Sequence, residues 1–237
     1  MGRNNWFEFK QFRIVQQRAA MKVGTDGVLL GAWTLLNDAA RVLDIGSGTG
    51  LIALMLAQRS EAIIDAVEID EPASEETLSN FQQSPWSTRL TVYNTGFREY
   101  ILNKSGLYDL IVSNPPYFVN SLKTQNAALS VARHNDQLSF DELITGAGKL
   151  LCVSGRLCVI IPGDSLVEFR EIARLADLYL YHQTLVIPKA GKSPKRVLLE
   201  FGKNPCYPFY DDLTILDEFG RYTKKFMELT EPFYPAF

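Results

Sequence analysis

Residues 41–50 read RVLDIGSGTG, a short strand-like run closing on three glycines spaced two apart, and the helical pattern LIALMLAQ follows at once. Strand, glycine-rich turn and helix in that order place a ligand at the carboxyl end of the strand, beside the helix N-terminus. Glycine lets the backbone turn tightly there and approach the ligand closely. The spacing G-x-G-x-G puts Leu51 where a dinucleotide fingerprint needs its last glycine, which disfavours an NAD site. Asp44, Gly46, Gly48 and Gly50 are the ligand candidates of this turn.

Outward from that turn, short β-branched runs alternate with helical patterns from Arg41 to about Ile161. Such alternation predicts βα units building an α/β, Rossmann-like, mostly parallel sheet with helices on both faces. Strands are expected at residues 41–45, 63–68, 90–93, 108–113 and 156–161, with two more at 178–186 and 196–201. Helices are expected after Gly50, after Glu71, at Ser139 and at Ser165; Glu142 and Glu168 each follow their serine by three residues, the spacing of a capping box. The whole chain, 1–237, is read as one domain: an extension over 1–40, a core over 41–201 and a tail over 202–237 packed on the sheet. In the tail a strand is expected near Leu213 and a short helix near Tyr222. Residues 118–137 lack periodicity, which suits a lid or binding loop.

Composition narrows the class further. With 46% hydrophobic and 22% charged residues and three cysteines, the chain is expected to be globular, neither a disordered tail, a collagen nor a disulfide scaffold. An odd cysteine count without an apolar leader fits a reducing, cytoplasmic compartment, and the absence of a long apolar stretch argues against a membrane partner. No His/Cys/Asp cluster has metal-ligand spacing, so no metal is expected. The net charge of −3 hides two basic windows, residues 1–22 and 189–203, each +4 on an otherwise acidic chain. Arg13, Arg18, Lys192, Lys195 and Arg196 are their candidate contacts. The windows are either solvated faces or a local anionic contact.

Two further strings carry chemistry. VEID, residues 67–70, ends the second core strand, and an acid at such a tip can accept both hydroxyls of a ribose. Glu68 is assigned that role, Ile69 is placed beside the base, and Asp70 is read as a helix cap. NPPY, residues 114–117, follows the apolar strand YDLIVS. An exocyclic amino nitrogen is a poor nucleophile while its lone pair is delocalised. Accepting hydrogen bonds from both of its N–H groups localises that pair. The Asn114 side-chain oxygen and the Pro115 carbonyl suit this task, with Tyr117 offering a face for stacking.

DIGSGTG, VEID and NPPY in this order resemble a class I S-adenosylmethionine-dependent amino-methyltransferase over about residues 20–200. The strings FKQFRIVQQRAAMKVGTDGVLLGAW, QSPW, NPPYF and KRVLLEF make the chain similar, more narrowly, to the bacterial tRNA1(Val) adenine-N6 methyltransferases, which modify the adenine at tRNA position 37. The resemblance implies a seven-stranded sheet with its last strand antiparallel, S-adenosyl-L-methionine as cofactor, tRNA as partner and no obligate protein partner. It also implies that Lys22, Thr25 and Asp26 close over the methionine end of the cofactor. Phe118, Arg133 and His134 would meet the RNA from the long loop. His134 is read as structural or substrate-contacting rather than as a base, because the attacking nitrogen can lose its proton after transfer. One departure stands out: where such enzymes place an acid near the cofactor's adenine amino group, this chain has Gly96, and Asn94 or a backbone carbonyl is the expected substitute.

Three rivals remain open at this stage. A glutamine-amide methyltransferase acting on a translation release factor uses the same NPPY chemistry but usually carries a helical domain ahead of the core. A DNA adenine methyltransferase normally needs a sizeable recognition region, for which the residues after Phe201 are few. A noncatalytic RNA-binding protein would not need Asn114 to Tyr117 intact.

Overall fold

The structure is a computed structural model and describes residues 4–103, 107–116 and 138–236. Strands β1 (Trp6–Glu8) and β2 (Arg13–Val15) form an antiparallel hairpin, followed by helix α1 (Thr25–Trp33). The core then alternates β3 (Arg41–Ile45), α2 (Leu51–Gln58), β4 (Ile63–Glu68), α3 (Glu71–Gln82), β5 (Leu90–Asn94), α4 (Phe97–Asn103) and β6 (Tyr108–Ser113). From residue 138 onward come α5 (Phe140–Leu150), β7 (Leu151–Pro162), α6 (Leu166–Leu175), β8 (Tyr179–Lys189), β9 (Arg196–Gly202), β10 (Phe209–Leu216) and α7 (Lys224–Thr230).

The sheet order is β10-β8-β9-β7-β6-β3-β4-β5. β9 lies antiparallel between β7 and β8, and the remaining pairs are parallel. The expected seven strands are corrected to eight. The tail strand β10 adds in parallel to β8, so the antiparallel strand is the last of the seven core strands but not the last of the sheet. Leu213 drives the addition by burying its side chain on the sheet.

Alternation along the strands sends Val42, Ile64, Ala66, Leu110 and Val112 to one face and Leu43, Ile45, Val67 and Ile111 to the other. The first face is covered by α1, α2, the amino-terminal hairpin and the carboxyl-terminal tail, the second by α4, α5 and α6. Phe9 stacks on Phe12 with ring centroids 4.6 Å apart, and the Lys10 N–H donates to the Phe233 carbonyl at 2.8 Å. Phe9 and Phe12 are therefore core, Phe7 packs against them half-buried, and Trp6 stays exposed.

Local signals fared unequally. Ser139 and Glu142 form the capping box, and the Asp70 side chain caps α3 by accepting from the Ala73 N–H at 3.1 Å. Ser165 makes no cap hydrogen bond: the 3-10 turn Gly163–Ser165 leads straight into α6, so the serine is already in helical conformation and its hydroxyl cannot reach back. Asp26 lies inside the first turn of α1 and pairs with Arg196. Among the described residues no helix is long and apolar enough to cross a membrane.

Candidate active site

The carboxyl ends of four strands come level. Ile45 sits between Val67 and Ser113, and Glu68 opposes Asn94, so the residues just beyond β3, β4, β5 and β6 share one edge of the sheet. In open α/β sheets ligands bind at this edge. A cavity of about 860 Å³ opens there.

The glycine-rich turn forms its floor. Gly46 and Ser47 donate their N–H groups to the Val67 carbonyl at 2.8 and 3.2 Å, which fastens the turn to the neighbouring strand. Gly46 and Gly48 have φ of +72° and +58°, and a Cβ on either would meet nothing within 4 Å, so bare backbone faces the open space. Gly50 serves another purpose. A Cβ there would come within 2.7 Å of the Phe81 ring, so this glycine lets the turn pack against α3 and does not line the cavity.

Glu68 and Asp44 sit on adjacent strands in contrasting surroundings. Glu68 is buried at the cavity wall, where its two oxygens accept from the Gly48 N–H at 2.8 Å and the Asp70 N–H at 3.0 Å. Each oxygen keeps a lone pair for a ligand. Asp44 is fully buried behind the floor; Oδ2 accepts from the Ala53 N–H at 3.1 Å, while among the described residues Oδ1 has no partner. Burial pushes its carboxyl up to about 7, against the Ala53 hydrogen bond and with a smaller push from nearby Glu68. The Ser47 hydroxyl is likewise buried with no partner among the described residues, in a residue that borders the cavity.

Of the residues singled out by sequence, Lys22, Gly46, Gly48, Glu68, Ile69, Asn114 and Pro115 line this one cavity. Thr25, Asp26, Asp44, Gly50 and Asn94 do not. Asn94 turns its amide away, donating to the carbonyls of Glu68 and Ile69 at 3.0 and 3.3 Å. Tyr117, Phe118, Arg133 and His134 lie outside the described residues. Among those described, no group of three or more His, Cys, Asp or Glu side chains could hold a metal ion.

Sequence reasoning missed the inner face of α3. The buried Glu76 carboxylate accepts from three successive backbone N–H groups, those of Gln17 at 2.5 Å, Arg18 at 3.0 Å and Ala19 at 2.9 Å. Asn80 exchanges hydrogen bonds with the Val15 backbone and donates to the Thr49 carbonyl at 2.9 Å, while the Thr77 hydroxyl donates to the Gly48 carbonyl at 2.7 Å. One helix face thus holds both the glycine-rich turn and the strap of residues 15–19, whose continuation through Val23 forms a further wall of the cavity.

The basic windows differ in their engagements. Arg13 pairs with Glu8 at 2.5 Å and lies over the Trp6 ring, and Arg18 pairs with Glu75. Arg196 pairs with Asp26 at 2.7 Å. Lys192 and Lys195 are exposed in the β8–β9 connection. Because β8 runs parallel to β7, that connection lies at the same sheet edge as the cavity.

Residues 21–166 match the family described as methyltransferase small domain. The tRNA1(Val) (adenine(37)-N6)-methyltransferase of Bacteroides fragilis is 47% identical to this chain, with 97% of each protein covered. The protein of the same name from Aeromonas hydrophila is 44% identical over 99% of both. Among solved structures, a predicted O-methyltransferase from Agrobacterium tumefaciens superposes with a TM-score of 0.67 at 19% identity, over 88% of this chain and 96% of that one, a likeness of fold. With its strand-tip cavity and relatives aligned nearly end to end, the chain belongs to the methyltransferase small domain family, among the tRNA1(Val) (adenine(37)-N6)-methyltransferases.

Proposed function

We propose that this methyltransferase, a single cytoplasmic domain, transfers a methyl group from S-adenosyl-L-methionine to the N6 amino group of adenine 37 in tRNA1(Val). The observation that carries the reading is that Asn114 and Pro115 face the same cavity as the glycine-rich turn and Glu68. An amino-group acceptor site and a nucleoside site are thereby joined in one space. The relatives' names and coverage support the choice of tRNA.

The residues present suit the cofactor. Gly46 and Gly48 leave a bare backbone cradle, Glu68 has acceptor capacity for a ribose, and Ile69 offers an exposed apolar side chain to a base. The unpartnered Ser47 hydroxyl and the Lys22 strap suit the polar amino-acid end. When bound, S-adenosyl-L-methionine supplies a sulfonium-activated methyl group. The chain's work is positioning, which can contribute about 7 to 11 kcal/mol in well-oriented reactions. Asn114 Oδ1 and the Pro115 carbonyl accept from the two N–H groups of the target amine, and Tyr117 stacks on the flipped base. Leaving the helix stack costs the base a few kcal/mol, and stacking on an aromatic returns about 1 to 3.

Against the glutamine-methylating rival stand relatives aligned over 97% and 99% of this chain, all named for tRNA. Labelled S-adenosyl-L-methionine incubated with separated tRNA, protein and DNA fractions tests the proposal: label is expected in tRNA, and label only in protein overturns it. In the same preparation Glu68→Ala is expected to weaken cofactor binding about 10- to 100-fold by calorimetry, because a charged acceptor of hydroxyl hydrogen bonds is lost. Unchanged affinity would move the ribose contact elsewhere.

A further inference from the structure

The cavity end beyond Ile69 is bounded by Thr95, Gly96, Phe97 and Glu99. An adenine held against the exposed Ile69 side chain presents its exocyclic amine to this end and needs an acceptor there. Gly96 brings no side chain. Asn94 is committed to the carbonyls of Glu68 and Ile69 and lies off the cavity. Asp70 lines the cavity too, but its Oδ2 caps α3, which fixes its carboxylate to the start of that helix and not to the Gly96 turn. Glu142, further round, is held by Arg98 and by its own capping box.

Glu99 is set apart by its place, three residues beyond Gly96 and held by the Thr95 hydroxyl of the same turn. It stands on the first turn of α4, exposed and on the cavity wall, and its Oε2 accepts from the Thr95 hydroxyl at 3.1 Å, which aims the carboxylate without using its second oxygen. We infer that Glu99, oriented by Thr95, accepts the N6 hydrogen bond of the cofactor's adenine and so selects adenine over a 6-oxopurine; this rests on S-adenosyl-L-methionine occupying the cavity. An ionised carboxylate only accepts, so a purine with a carbonyl at that place meets an acceptor with an acceptor. A site built around a hydrogen bond rejects the analogue that cannot make it far more strongly than an apolar slot does.

The test is calorimetric binding of S-adenosyl-L-homocysteine and S-inosyl-L-homocysteine, which differ at C6, amine against carbonyl, and with it at N1, acceptor against donor; the Glu99 variants isolate the C6 contact. The wild-type protein is expected to prefer the adenosyl compound by about 10- to 100-fold, moderated by the exposure of Glu99. In Glu99→Gln the preference shrinks to a few fold, because the amide can also donate to the carbonyl. Thr95→Val, a change at a positioning residue, gives a smaller loss of preference. A Cβ at Gly96 would meet only the Ile69 Cδ1, at 3.6 Å, so Gly96→Asp fits and is expected to restore preference to Glu99→Ala. Wild-type preference retained in Glu99→Gln overturns the assignment. If the folded wild-type protein binds neither compound, the cofactor reading itself fails and the role of Glu99 falls with it. Glu68→Ala separates the two claims, since it is expected to weaken both compounds equally and leave the preference intact.

Discussion

Two walls of the cavity are built by different means. The strand-tip wall, made by Gly46 to Gly48, Glu68 and Asn114, is fixed by sheet register and by hydrogen bonds from the glycine-rich turn to the tip of the neighbouring strand β4. The opposite wall, the strap ending at Val23, is fixed by the side chains of Glu76 and Asn80, nearly sixty or more residues further along the chain. A wall set by register is rigid, because moving it means slipping a strand between its neighbours. A strap held by a few side chains opens when one of them is lost. The difference suggests a division of labour: the strand tips set the chemistry, and the strap sets how firmly the cofactor is kept.

The sharpest way to break that division is at the strand tips. Asn114→Ala is expected to lower the methylation rate at saturating cofactor by about 10²- to 10³-fold, in line with removing one preorganised group from a transition-state site. Cofactor affinity should stay within a few fold. Near-normal single-turnover methylation in this variant would remove Asn114 from the chemistry, and with it the idea that this wall is the reactive one.

Asp44, under the same wall, gives a pH signature. Its carboxyl is raised to about 7 by burial. Between about pH 4 and 7 the unfolded chain has lost this proton while the folded protein keeps it, so ν_U is below ν_N and unfolding free energy falls as pH rises. The loss, on the order of a few kcal/mol at about 1.4 kcal/mol per pH unit, is complete above the folded value. Asp44→Asn should remove that slope and leave the variant relatively more stable at pH 8 than at pH 5. Urea unfolding at the two pH values reads this directly, and an unchanged slope would show that Asp44 is already ionised across the range.

The asymmetry between the walls also explains what the sequence disclosed. RVLDIGSGTG, VEID and NPPY each encode a local event, a strand end followed by a turn, and the sheet then brings them level; Gly46, Glu68 and Asn114 were legible for that reason. Glu76 was not. Within EPASEETLSN it looks like any helix carboxylate, and its partners are backbone N–H groups of a segment remote in sequence, which carry no residue-type signal. Ser165 failed in the opposite sense: the spacing to Glu168 was right, but a preceding 3-10 turn removed the need for a cap. The eighth strand was half legible, since the tail strand near Leu213 was expected while its addition to the sheet count was not.

The strap offers the next comparison. Glu76→Ala leaves the N–H groups of Gln17, Arg18 and Ala19 without their shared acceptor. Cofactor affinity is expected to fall about 3- to 10-fold, since the strap loosens and each unpaired buried donor costs roughly 1 to 3 kcal/mol unless it reaches water. The rate at saturation should change less than twofold, unlike that of Asn114→Ala. A fall in rate without a fall in affinity would place the strap in the chemistry and erase the distinction between the walls.

The smallest effect expected concerns the two basic windows, and it compares the amino-terminal hairpin and strap with the β8–β9 connection. Both lie near the sheet edge that holds the cavity, where a tRNA would dock, yet Arg13 and Arg18 share their charge with Glu8 and Glu75 while Lys192 and Lys195 are exposed. Each phosphate contact releases counterions and adds about 0.7 to 0.9 to the slope of log affinity against log salt. Lys192→Gln with Lys195→Gln should therefore flatten the slope for tRNA by roughly 1.5. Arg13→Gln with Arg18→Gln should flatten it by less than about 1, because a guanidinium already neutralised by a carboxylate displaces fewer ions when it meets a phosphate. Neither pair should alter affinity for S-adenosyl-L-methionine. Filter binding of tRNA across a salt series measures both slopes. Slopes equal to the wild-type value in both double variants would remove the windows from the interface. A larger drop for the arginine pair would mean that Glu8 and Glu75 release their partners when the tRNA arrives, making the strap the principal phosphate contact as well as the cofactor's cover.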